Sequence, residues 1–267
     1  MRWTKIKNII LLLLVAVNLF LLALVGVRAW RTAQNDRQTR ERMLQILENS
    51  GISFLPTELP DAIGLTPQRL TAAPMEERQA ALLVGEVTAA ETMGTRTIYR
   101  GTYGVLSVSS SGEAVLDYFS NCTLTEENIW TALGELGLTF RETGRTDDRG
   151  ELNVEACLLW GEVPLPGETL HLICSGGVPV SLTFRALLGT AEPQSAAEPL
   201  SAATALLRLL DTLNQQGYIC SRIDRLYPGY VLSGAGPFTL EPAWFVEIDT
   251  APWRLAVNAY TGEVTVE

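Results

Sequence analysis

Lysine does not occur in this 267-residue chain after Lys7, histidine occurs once, and the four cysteines form no CxxC pair. Each scarcity excludes something. Beyond position 42 the basic residues are twelve isolated arginines against 28 acidic residues, a net charge of about −16. Phosphate backbones are bound by clustered cations, so nucleic acid is excluded as a partner. Cys122, Cys157, Cys174 and Cys220 are 35, 17 and 46 positions apart, which is not metal-ligand spacing, and no metal or cofactor is expected. The GxSxG, GxGxxG, P-loop and HExxH patterns are all missing. His171, in "ETLHLIC", reads as a structural residue of a strand. Asp147, Asp148 and Glu151, in "DDRGE", read as a solvated turn, because a calcium loop alternates its ligands and places glycine sixth. Without a positioned acid, base, nucleophile or ion, the chain reads as non-enzymatic.

What is present begins with an uncharged run from Ile9 to Val27, 19 residues long. As a helix rising about 1.5 Å per residue it spans roughly 28 Å, close to the roughly 30 Å hydrocarbon layer. The run leads into "VGVRAWR", whose bulky and basic residues suit signal cleavage poorly, so it reads as an uncleaved anchor. Trp3 and Trp30 fall at interface depth, and Lys5 and Lys7 can snorkel toward headgroups. Three cations precede the run and five follow it within fifteen residues, so charge counting leaves the orientation open. Asn18, at mid-span, is costly against lipid and fits either a bond to another helix or simple tolerance in a Leu-rich segment.

Beyond the anchor a pattern repeats. "LENSGISF", "LGELGLTF" and "LNQQGYIC" each end an amphipathic helix at a glycine, Gly51, Gly137 or Gly217, and then start a strand. Thr125 or Thr123 starts the second helix and Ser201 the third. Alternating stretches that turn at Gly112, Gly177 and Gly262 read as hairpins. The expected fold is therefore α+β: one transmembrane helix followed by repeated units of helix plus antiparallel sheet. The expected boundaries are a tail at 1–8, the span at 9–27, a juxtamembrane helix at 28–50, units at 51–120 and 121–188, a linker at 189–200, and a third unit at 201–267. The Pro-rich stretch 55–75 reads as either a structured insertion or a loose arm. Cys157 and Cys174, on arms meeting through "GEVPLPGE", read as buried free thiols or, if the arms align, as a disulfide. Trp244, Phe245 and Trp253 read as core, with a peptide groove as the alternative.

Two terminal stretches carry a resemblance. "MRWTKIKNI" with the following "NLFLL", and "EPAWFVEID" with "VNAYTGEV", resemble the ends of the YycI family, membrane-anchored accessory regulators of the YycG (WalK) sensor histidine kinase. The closing hairpin is also similar to PepSY-type modules. The resemblance implies a single-pass protein of the cell membrane, with its amino terminus in the cytoplasm and its α+β domain outside. It further implies a YycH-like partner and regulation of a two-component system for cell-wall metabolism through contacts between transmembrane helices. The implied partner surface comprises Trp3, Lys5, Lys7, Asn18, Phe20, Trp244 and Trp253. The alternative is an anchored PepSY-type module of the envelope that binds a peptide or inhibits a protease.

Overall fold

The computed structural model describes residues 17–18, 20, 39, 41–54, 59–60, 63–195, 197–234, 237–250 and 254–266. The expected anchor lies outside these residues apart from Val17, Asn18 and Phe20, which are helical and exposed. Among the described residues no helix is long and apolar enough to cross a membrane.

The first sheet is a succession of hairpins. It comprises β3 (Val87–Met93), β4 (Arg96–Gly101), β5 (Gly104–Ser109), β6 (Glu113–Tyr118), β7 (Thr139–Asp148), β8 (Glu151–Trp160), β9 (Val163–Ser175) and β10 (Val178–Arg185). Their order is β3-β4-β5-β6-β10-β9-β8-β7, every neighbour antiparallel. Strict alternation of burial along β5 and β6 puts Leu106, Ala114 and Leu116 on one face. That face meets α1 (Glu77–Val84) and α2 (Glu126–Glu135), whose Leu83, Ile129 and Leu133 share its core. The start of α2 follows from its sequence: Thr125 Oγ1 accepts from the Asn128 amide at 3.4 Å while Asn128 Oδ1 accepts from the Thr125 amide at 2.9 Å, a reciprocal cap for two orphan donors.

The second sheet is gathered from distant segments: β1 (Ser53–Phe54), β2 (Gln68–Ala72), β11 (Gly189–Pro193), β12 (Arg222–Ser233), β13 (Phe238–Ile248), β14 (Leu255–Asn258) and β15 (Val264–Val266). Its main path is β1-β12-β13-β14-β15, with β2 bridging β13 and β11, and only β1–β12 is parallel. Helix α3 (Ala202–Gln216) and the helical residues 41–49 cover one face through Leu206, Leu209, Met43 and Leu47. The helix-ending glycines have the expected left-handed backbone, with φ of +73° at Gly51, +78° at Gly137 and +71° at Gly217, a conformation that residues with a side chain rarely adopt. Leu70, Tyr230, Phe238 and Leu240 of this sheet join the core of the first, so the two sheets pack together.

Three expectations take their final form here. Over its described residues the Pro-rich stretch is structured: Leu59 and Ile63 are buried, the Tyr230 hydroxyl donates to the Thr66 carbonyl at 3.1 Å, and β2 follows. Part of the expected linker is strand β11, paired with β2 from Gly189↔Ala72 to Pro193↔Gln68. Composition did not reveal it because its partner lies far away in the chain. Cys157 stands across from Thr169 and Cys174 across from Leu152; the arms align five residues away from the disulfide register. Both are free thiols.

Candidate functional site

The described chain enters the folded domain through residues 41–49. Met43 and Leu47, one helical turn apart, are each 1% exposed and sit with Leu206, Leu210, Ile223 and Trp244. The Ile52 amide then donates to the Leu47 carbonyl at 2.9 Å, the Ser53 amide to the Ser221 carbonyl at 2.9 Å, and β1 runs parallel to β12. Helix, glycine and strand at 41–54 thus lie beside helix, glycine and strand at 202–223, two like units on one sheet face. Burying a side chain of Leu or Met size contributes about 1.5–3 kcal/mol, so this segment is held as firmly as core.

At the far end of α3 the surface is apolar. Leu213, Tyr218, Ile219, Ile248, Thr250 and Leu255 line a concavity of about 430 Å³ beside Gly217, and Ile219 is 77% exposed. Its rim is fixed by backbone bonding: Asp249 Oδ1 accepts from the Ser221 and Arg222 amides at 3.2 and 3.1 Å, and the Thr250 hydroxyl donates to the Ile219 carbonyl at 2.6 Å. Burial, then the Asp249 charge, pushes the adjacent Cys220 thiol above its ordinary range, which disfavours the nucleophilic thiolate. The lining is mostly apolar. The sequence signal was the pair Tyr218 and Ile219 directly after a helix-stopping glycine.

The opposite face of the second sheet carries a different cluster. Tyr227 and Phe245 stack at 5.7 Å and 16°, and the Arg225 guanidinium lies 5.1 Å from the Tyr227 ring centre. Glu247 Oε1 accepts from the Tyr227 hydroxyl at 3.2 Å and from Arg254 Nε at 3.4 Å, with Arg225 Nη1 at 3.7 Å. Burial and the Glu247 charge push the Tyr227 phenol upward. A second concavity, of about 310 Å³, lies against the first sheet among Met75, Thr97, Tyr99 and Ser109, and there the Tyr99 hydroxyl donates to the Met75 carbonyl.

Of the residues expected at a partner surface, Trp3, Lys5, Lys7 and Trp253 lie outside the described residues. Asn18 and Phe20 are exposed, Phe20 by 65%. Trp244 is 0% exposed and its indole N–H donates to the Leu200 carbonyl at 3.1 Å; it lines no groove, because its face of β13 is the one that α3 covers. Phe245 is equally buried on the other face. His171 is an exposed strand residue 3.7 Å from the Glu155 carboxylate. Asp147, Asp148 and Glu151 flank the Arg149-Gly150 turn. Among the described residues no group of three or more His, Cys, Asp or Glu side chains is placed to hold a metal.

No protein-family model matches the chain, and no curated protein matches it. Among solved structures it is similar to an uncharacterized protein from Eubacterium rectale ATCC 33656, at 11% identity and a TM-score of 0.49 over 77% of this chain and 87% of that one. It is also similar to the Bacillus megaterium YpeB C-terminal domain, at 10% identity and a TM-score of 0.36 over 71% of this chain and 94% of that one. At these levels neither likeness carries a functional argument.

Proposed function

We propose that this chain is a non-enzymatic, membrane-anchored regulator of a sensor histidine kinase. Its amino terminus is cytoplasmic, its α+β domain extracytoplasmic, and it works with a YycH-like partner in the control of cell-wall metabolism. The observation that carries this reading is the seating of Met43 and Leu47 in the core of the second sheet. A segment that follows an apolar run of membrane-spanning length is fastened to the domain, so displacement on one side is felt on the other. The kinase, the partner and the orientation rest on the terminal stretches that resemble the YycI family.

The mechanism is conformational bias. Contacts from Asn18 and its neighbours favour one of two kinase states, and about 1.4 kcal/mol of differential binding changes their ratio about tenfold. Replacing residues 9–27 with an unrelated Leu-rich helix is expected to abolish the effect on the kinase's transcriptional output while leaving the protein in the membrane. Parental output with the replaced helix overturns the mechanism.

One feature favours a second reading, an anchored PepSY-type module that binds a peptide or restrains a protease. The concavity after α3, with Tyr218 and Ile219 exposed beside it, fits an apolar side chain of an extended segment. On that reading a fragment from residue 31 onward keeps its partner; on the first, its activity is lost with the anchor.

A further inference from the structure

Among the described residues the first sheet ends in two open strands, β3 and β7, and they are defended differently. Along β7 stand Arg141, Glu142, Arg145, Asp147 and Asp148, with a register break between Glu142 and Gly144; charges and bulges are what keep an edge from pairing with another chain. β3 reads VTAAETM, with Glu91 as its single charge, and Ala90 through Met93 are all exposed.

The geometry of β3 fixes what its free edge presents. The hairpin to β4 closes on Met93↔Arg96 around Gly94-Thr95, with Gly94 at φ +62°. In a two-residue hairpin the closing pair is hydrogen-bonded and pairs alternate from there, so Ala90 and Thr92 direct their backbone N–H and C=O away from β4. The 3.2 Å bond between the Thr92 and Thr97 hydroxyls suits the closer side chains of a pair that exchanges no backbone bonds. The clean edge ends at Thr88, where the register shifts and the hydroxyl donates to the Arg100 carbonyl at 3.1 Å. On the face away from the helices, Ala89 stands across from Arg100 and Glu91 across from Ile98. Among the described residues Glu91 and Arg100 make no ion pair; the neighbouring Arg96 is held by Glu113 at 3.5 Å.

We propose that β3 is a self-pairing edge. Two copies of the chain add β3 to β3, antiparallel about a two-fold axis at Ala90, and form one continuous sheet. Ala90 then exchanges both backbone bonds with Ala90 of the second copy, and Thr92 faces Thr88. Glu91 faces Ala89, whose methyl group is too small to block it, and reaches Arg100 of the second copy on the same face. Symmetry makes this pair twice. An axis at Glu91 instead would oppose two carboxylates and turn the bonding groups the wrong way. The paired area is small, so the dimer is weak and concentration-dependent, and confinement to a membrane favours it.

The test uses the full chain in detergent micelles, with mass followed against concentration by sedimentation. A reversible dimer is expected. Glu91→Lys or Arg100→Glu alone is expected to weaken it about tenfold, through lost attraction and new like-charge contacts at both symmetric pairs. The double variant is expected to return to within about threefold of the parent, as coupled neighbours do. Ala90→Pro removes an outward N–H and no internal ladder bond, so it is expected to leave the melting temperature in place and abolish the dimer. A chain monomeric throughout overturns the proposal. So does a dimer that the charge reversals and Ala90→Pro leave unchanged, which would place the contact elsewhere, as on the apolar run. This edge is separate from the proposed kinase regulation, and either can fail without the other.

Discussion

The two sheets have comparable size and opposite construction. In the first, each strand pairs with a neighbour a few residues along the chain, apart from the β6–β10 junction, where Asp117 meets Ser181. In the second, Ser53 pairs with Arg222 and Leu70 with Phe238. Local hairpins close cheaply, whereas distant segments must offset a larger loss of chain entropy before they gain contacts. The second sheet therefore depends on its deepest apolar groups, and these include Met43 and Leu47 from the helical residues 41–49. The difference teaches which parts of the chain each sheet depends on. The hairpin sheet takes all its strands from residues 87–185, while the gathered sheet draws strands from residue 53 to residue 266.

Substitutions can break or sharpen that contrast. The largest effect is expected at Trp244→Ala, which empties the centre of the gathered sheet and leaves the Leu200 carbonyl without its indole donor; a loss of about 3–5 kcal/mol is expected by urea titration. Leu47→Ala should follow at about 2–4 kcal/mol. For both, hydrogen exchange read segment by segment should rise first in β1, β12 and β14, before β8 and β9. Equal acceleration in the two sheets would show that the contrast has no energetic counterpart. Gly217→Ala comes next, at about 1 kcal/mol: a Cβ there meets nothing within 4 Å, so the cost is the left-handed backbone alone. The smallest effect belongs to the hairpin sheet. Arg145, at 2.6 Å from Glu126 and 2.8 Å from Glu142, holds both carboxyls below their ordinary range, chiefly by side-chain hydrogen bonding. A depressed carboxyl pKa stabilises the fold above the unfolded value, near pH 4.3, and that contribution is lost as pH falls through the folded value. With Glu126 partly exposed, screening limits the gain to about 0.5 kcal/mol. Glu126→Gln should therefore narrow the stability difference between pH 7 and pH 3 by about that amount.

Legibility differed between the regions for the same reason. Periods of two residues, helix-stopping glycines and the caps at Thr125 and Ser201 are local, and the structure repeats them as helices and hairpins. Strand β11 was hidden in a Pro- and Ala-containing stretch, because what makes it a strand is β2, not its own composition. The Cys157–Cys174 register was missed because the arms turn at Gly161-Glu162, where Trp160 pairs with Val163, and not at the middle of "GEVPLPGE". Trp244 read as core with a groove as the alternative, since an aromatic residue on an alternating strand fits both until a helix covers one face. The apolar concavity was half visible: Tyr218 and Ile219 mark the end of α3, but Ile248 and Leu255 reach it from the other side of the chain.

Composition, spacing and periodicity by themselves determined that this chain lacks clustered cations beyond position 42 and lacks metal-ligand spacing, carries an apolar run of membrane-spanning length, and continues as helices and antiparallel strands. These are properties of residues within a few positions of one another, which short-range sterics and hydrophobic alternation dictate. The tertiary structure alone decided that residues 41–49 seat in the carboxyl-terminal sheet and that β3, not β7, is the undefended edge. It also decided that β13 is closed over Trp244 on one face and over Phe245 on the other. Such facts concern groups far apart in the chain, and only the meeting of distant surfaces, each burying what the other leaves exposed, fixes them.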